Sequence, residues 1–255
     1  MGSRRERAGR LSLTIGFILW ASCSAIVKEN RADCPCSLYI SLGALPEEPV
    51  NVQVYAGGKD LCFKEDMDRD TTLLVQVPGE KTLVVGVSGG TLEDGVLSIK
   101  PGSDCPEVFL ASELVDTSGD SAWYQMQLHK HFCTLGIYFD GPPGWGEPYS
   151  VLVRGKTGGL QPDGTPILGD FRFSLHPGES CRLPRQAPEE ELWLDITMPE
   201  GVLRSFALGT YLDHAGYDWT APDLKDVTLR IDISVTAVSF SIGPWKETIL
   251  LETEI

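Results

Sequence analysis

The sequence predicts an all-β chain built of β-sandwiches. Three observations carry this. Short β-type apolar runs recur from residue 34 onward. Gly, Pro, Asp and Asn turns separate them every eight to twelve residues, the spacing of sandwich strands. No 11-residue window has the 3.6-residue period of an amphipathic helix, so crossover helices over a parallel sheet are not expected.

The N-terminus reads differently. Arg4, Arg5, Arg7 and Arg10 precede an apolar run at residues 11–20. That run is shorter than the ~20 residues that span a bilayer. Small Ala21 and Ser22 follow it, so residues 1–22 read as a cleaved secretory signal. Cys23, directly after two small residues, sits where bacterial lipoproteins take a diacylglyceryl group on the thiol. It is the expected lipid-attachment site, with residues 23–33 as a tether, although Trp20 stands where Leu or Val is usual. Ordinary secretion, with Cys23 merely near the cut, is the plainer alternative.

The strands follow in order. Residues 37–42 (SLYISL) and 51–55 (NVQVY) alternate cleanly, with a turn at residues 56–60. Residues 72–77 and 81–87 flank Pro78-Gly79, a hairpin signal. Residues 95–100 and 108–114 come next. Residues 117–120 (TSGD) are the best boundary, giving a first sandwich over 34–120 and a second over 121–255. The second half holds runs at 123–130, 132–139 and 149–153, a turn-rich stretch at 155–169, and runs at 170–175, 191–198 and 202–208. Residues 227–242 exceed one average strand and predict two, or one long bent strand. A last run covers 247–251.

Composition narrows the function. The chain carries a formal −15, and removal of residues 1–22 takes it to about −18. Such a chain repels nucleic acid phosphates, and no basic stripe offsets this. Apart from Cys23, six cysteines remain: Cys34, Cys36, Cys62, Cys105, Cys133 and Cys181. An even number in an exported chain permits disulfides. The other reading, buried thiols acting as small hydrophobes, stands beside it. Their spacing matches no zinc knuckle.

Constellations with catalytic or metal-binding patterns are weak. Residues 86–90 (GVSGG) match G-x-S-x-G around Ser88, but no helix follows, as a nucleophile elbow requires. Asp66, Asp68 and Asp70 open like a calcium loop, yet Thr71 and Val77 stand where Gly and Glu are needed. His129 and His131, two apart on a strand, point to one face without evident further ligands. No catalytic residue, metal site or cofactor site is expected. Trp145, in the Gly/Pro loop at 141–148, either contacts a sugar or partner or covers an apolar edge.

Several motifs together resemble the FimB-type fimbrial anchor proteins of Bacteroidales. Asp33-Cys34-Pro35-Cys36 soon after the lipobox is similar to their opening. Residues 149–169 (YSVLVRGKTGGLQPDGTPILG) look like part of their second domain, and residues 216–226 (GYDWTAPDLKD), running on to Trp245, like their closing segment. The resemblance implies two transthyretin-like Greek-key sandwiches in tandem and a non-enzymatic lipoprotein held in the outer membrane by acyl chains. It also implies fimbrial subunits (fimbrillins) as partners, joined by strand addition into an apolar groove. A surface lipoprotein that binds glycans through exposed aromatic loops is the rival function.

Overall fold

The computed structural model describes residues 34–43, 49–68, 71–140, 150–176, 178–188, 190–232, 237–242 and 245–250. The proposed signal, Cys23, the tether, Asp70 and Trp145 with its loop lie outside the described residues.

Nine strands form the first half: β1 (Cys36–Leu42), β2 (Val50–Ala56), β3 (Asp60–Met67), β4 (Thr72–Val77), β5 (Lys81–Ser88), β6 (Leu97–Ser98), β7 (Phe109–Asp116), β8 (Ser121–Met126) and β9 (His129–Lys130). Sheet β4-β1-β8 lies over sheet β3-β2-β5-β7-β9. Alternation decides what each strand buries. β1 turns Cys36, Leu38 and Ile40 inward, where they meet Val50, Val52 and Val54 of β2, Val75 and Val77 of β4, and Met126 of β8. Each fully buried side chain of this kind contributes about 1.5–3 kcal/mol.

The second half repeats the plan with β10 (Phe132–Asp140), β11 (Ser150–Leu160), β12 (Pro166–Leu175), β13 (Ser180–Pro184), β14 (Trp193–Thr197), β15 (Leu203–Phe206), α1 (Leu208–His214) and β16 (Val227–Asp232). Sheet β13-β10-β16 matches β4-β1-β8, with one antiparallel and one parallel pair in each. Sheet β12-β11-β14-β15 matches β3-β2-β5-β7. The chain is thus two Greek-key sandwiches of one design. In the second, β17 (Ala237–Ile242) and β18 (Trp245–Leu250) extend the sheet beyond β16.

The halves are joined. Val85, Val87 and Leu110 point away from the first core and share an apolar cluster with Cys133, Val153, Phe171 and Leu229 of the second sandwich. β6 leaves the first half and pairs with β11.

Several local expectations change. The Pro78-Gly79 turn is no hairpin, because β4 pairs with β1 and β5 with β2, in different sheets. The turn carries the chain between sheets and is pinned by Thr117, whose Oγ1 donates to Pro78 O at 3.2 Å and whose N donates to Glu80 O at 2.9 Å. Beyond Thr117 the chain stays in the first sandwich: β8 runs parallel to β1 and β9 pairs with β7. The passage to the second sandwich comes at His131, between β9 and β10. Residues 155–169 are mostly hairpin, not turn. Gly158 and Gly169 let β11 and β12 approach so closely that a Cβ on Gly169 would lie 2.6 Å from Gly158 Cα. Residues 227–242 split into β16 and β17, the first of the two arrangements their length allowed. The one helix among the described residues, α1, buries Leu208 and Leu212, one turn apart, in seven residues. It is too short for an 11-residue window to register.

Candidate functional site

The clearest departure from the repeat lies at β8. On one side β8 pairs with β1; among the described residues nothing pairs with its other side. Facing it across the sandwich, β7 pairs with β9 only through Phe109 and Leu110, and among the described residues nothing pairs with Ala111–Asp116 on that side. A groove of about 530 Å³ opens between these two edges. Ala111 and Glu113 of β7, Tyr124 of β8 and Gln127 just beyond it line its walls. Burial pushes the Tyr124 hydroxyl up to about 12, and the Glu113 carboxylate adds to the rise. The groove therefore has an aromatic wall, the acidic side chains Glu113 and Asp163, and two rows of backbone groups open to pairing.

Its inner end is built from the second sandwich. Arg185, which follows β13, is 7% exposed. Its Nε donates to His131 Nδ1 at 3.0 Å, Nη2 to Pro222 O at 2.9 Å, and Nη1 to Trp219 O. Those bonds fix the neutral His131 tautomer with its proton on Nε2. Burial, then the neighbouring Arg185 and His129 charges, push His131 down to about 4. Gly164, at φ +83°, lies against the His131 ring, where a Cβ would stand 1.9 Å from Cε1. The turn at residues 161–165 can close over the imidazole only because position 164 has no side chain.

The segment at residues 216–226 is pinned at many points. Asp223 accepts from Lys130 N at 2.8 Å and meets His129 Nδ1 at 3.4 Å. Asp226 accepts from Lys130 Nζ at 2.6 Å and Thr134 N at 2.8 Å. Tyr217 donates to Lys225 O at 2.8 Å. Partial burial works to raise both carboxyls, but these donors outweigh it and hold them below the usual range.

The residues singled out in the sequence scatter. His129 and His131 part company, one to Asp223 at the surface and one to Arg185 in the interior. Ser88 ends β5 with its Oγ buried, and an isolated bridge between Glu93 and Val96 follows instead of a helix. Asp66 lies on the exposed strand β3 and accepts from Asn51 at 2.7 Å. All six described cysteines are free thiols. Cys34 and Cys62 are exposed, Cys36 is in the first core, and Cys105, Cys133 and Cys181 are in the second. Burial raises the last three, Cys133 to about 12. The sequence reading missed Glu113, Tyr124 and Arg185, which alternation and composition do not distinguish from ordinary strand and loop residues.

No family model matches the chain, and no curated protein matches it by sequence. Solved structures do match its fold. One is a DUF1812 protein of Bacteroides thetaiotaomicron, with a TM-score of 0.64 at 14% identity over 84% of this chain and 98% of that one. The fimbrial anchor protein Mfa2 of Porphyromonas gingivalis matches with a TM-score of 0.56 at 12% identity, over 84% of this chain and 99% of Mfa2. A fimbrial assembly protein of Parabacteroides distasonis matches with a TM-score of 0.51 at 13% identity, over 85% and 98%. The chain has the tandem-sandwich fold of Bacteroidales fimbrial anchor and assembly proteins.

Proposed function

We propose that this protein is an anchor and assembly subunit of a fimbrium, tied to the outer membrane by acyl chains on Cys23. It acts by binding, and catalysis has no part in this reading. A strand of a fimbrial subunit pairs with the open side of β8 and lays alternate side chains into the groove against Tyr124 and Ala111. Main-chain bonds supply affinity and the groove supplies selectivity. Glu113 favours an incoming strand with a basic or hydrogen-donating residue at that position.

The observation that carries the proposal is the unpaired edge of β8 over a groove, in a fold shared with a fimbrial anchor. An exposed edge invites association and is usually blunted by charge or covered. In the second sandwich the matching edge, β16, is covered by β17 and β18. The test is co-purification of the full chain with fimbrial subunits from cells. Glu113→Arg places the opposite charge on the exposed groove wall and reduces recovery of the subunit about tenfold, with an unchanged melting temperature. Equal recovery from both proteins overturns the groove as the docking site.

A further inference from the structure

The opposite face of the same sheet carries a second feature. β4, β1 and β8 turn their remaining side chains outward in three rows set by the strand register. The central row is Leu74, Tyr39 and Trp123. Leu74 is 54% exposed and Trp123 73% exposed. The rings of Tyr39 and Trp123 are parallel, with centroids 4.1 Å apart and planes 8° apart. Gln76, Ser37 and Ser121 form one flanking row, and Gln76 donates to Ser37 Oγ at 3.0 Å. Thr72, Ser41 and Gln125 form the other. No outward position of this sheet is charged, in a chain with 57 charged side chains (21 basic and 36 acidic).

We propose that this face is a binding site for a neutral glycan, with Trp123 as the stacking residue. One face of the indole rests on Tyr39, which holds it in place. Trp123 lies on the edge strand, so no described strand flanks its other face. An aromatic face fixed in this way suits the C–H face of a pyranose. The flanking hydroxyls and amides can donate to and accept from sugar hydroxyls on either side.

Charge and size select this occupant over others. Uronate, sulfate or sialate groups would find no cation here, and the net −15 of the chain repels them. The same charge disfavours an anionic lipid surface. A cationic partner would find no carboxylate on this face. The three strands span about 10 Å by 13 Å between Cα atoms, about 300 Å² with the side-chain fringe, well short of the about 800 Å² per partner of a stable protein interface. A short run of sugar rings fits that area. The site is on the side of β8 away from the groove, so it does not depend on the fimbrial reading.

The test uses the full chain in detergent on an array of neutral gluco-, manno-, galacto- and xylo-oligosaccharides. Heparin fragments, polygalacturonate and phospholipid vesicles serve as the contrasting probes. Saturable binding to at least one neutral oligosaccharide is expected. Trp123→Ala weakens it by about tenfold or more and Tyr39→Ala by a smaller factor, because the stacked face is lost or loosened. The melting temperature of Trp123→Ala is unchanged, and Glu113→Arg, in the groove, binds the oligosaccharide as the parent does. The proposal is overturned if no neutral oligosaccharide binds, if Trp123→Ala binds equally well, or if Trp123→Ala instead abolishes binding to vesicles or to a fimbrial subunit. Co-purification of the subunit by Trp123→Ala is scored separately, so the two sites fail independently.

Discussion

Gly164 gives the sharpest test of how the groove end is built. Gly164→Ala faces two penalties. The first is backbone strain, since φ is +83° and an L residue in that region costs about 1–2 kcal/mol. The second is a collision, since the new Cβ would stand 1.9 Å from His131 Cε1 and 2.2 Å from Nδ1. His131 cannot swing aside cheaply, because its Nδ1 accepts from Arg185, which is tied to Trp219 and Pro222. Overpacking of a held side chain costs about 1–3 kcal/mol. Gly201→Ala supplies the control, because φ is +82° there and nothing lies within 4 Å of the added Cβ. It meets the strain alone. Thermal melts of the full chain should therefore place Gly164→Ala about 1–3 kcal/mol below Gly201→Ala. The double variant Gly164→Ala/His131→Ala recovers most of the collision cost relative to His131→Ala alone. Equal destabilisation by the two glycine substitutions would show that the 161–165 turn does not press on the imidazole, and the account of the groove end would fall.

Two further predictions follow from buried groups. His131 is held at about 4 against an ordinary 6.5, with Arg185, His129, Asp223 and Asp163 as the charges around it. A base depressed in the folded state leaves stability intact above pH 6.5, and that stability is lost as pH falls from 6.5 toward 4 while only the unfolded chain takes the proton. The loss is about 3 kcal/mol; melts between pH 7 and pH 4 should show it, and His131→Gln should flatten that window. An unchanged slope in His131→Gln would assign the acid loss to other groups. Thiol labelling of the native chain should reach Cys34 and Cys62 quickly and Cys36, Cys105, Cys133 and Cys181 only on unfolding. Fast labelling of a buried cysteine would contradict the packing, and the mass of the exported protein would report acylation of Cys23 in the same sample.

Which parts of the fold were legible depends on what period two encodes. It reports which face of a strand is buried, so the inward sets of β1 and β2 could be read directly. It does not report which strand is the neighbour, so Pro78-Gly79 looked like a hairpin although it joins two sheets. β3 is exposed along almost its whole length, with Lys64, Glu65 and Asp66 in succession, and so has no apolar period to detect. The glycines at 155, 158, 159 and 169 suggested turns because glycine has two uses, and close approach of β11 to β12 leaves no other mark in the sequence. Trp123 opens a strand-like run, which does not tell which of its faces is inward, and in the structure its face is outward. Arg185 stands between Pro184 and Gln186 with nothing to announce a buried cation. Its role follows from acceptors more than thirty residues away, at Trp219 and Pro222.

The repeat itself explains why function gathers at one strand. Two sandwiches of one plan begin with equivalent sheets, β4-β1-β8 and β13-β10-β16, each with a terminal strand running parallel to the first. A bare edge on either is a liability. The second sandwich continues past β16 into a hairpin and covers it. In the first, among the described residues, the backbone after Met126 crosses to β9 and on to β10 and does not return alongside β8. Among the described residues, this connectivity leaves β8 open whatever its side chains are. Those side chains then differ by face. Inward, Tyr124 and Met126 line a groove and core shaped for a strand. Outward, Ser121, Trp123 and Gln125 avoid charge where an exposed edge would ordinarily carry Lys or Glu. An edge left bare by topology and kept free of protective charge is accounted for if something binds it on each side, and the two assays above ask about each side in turn.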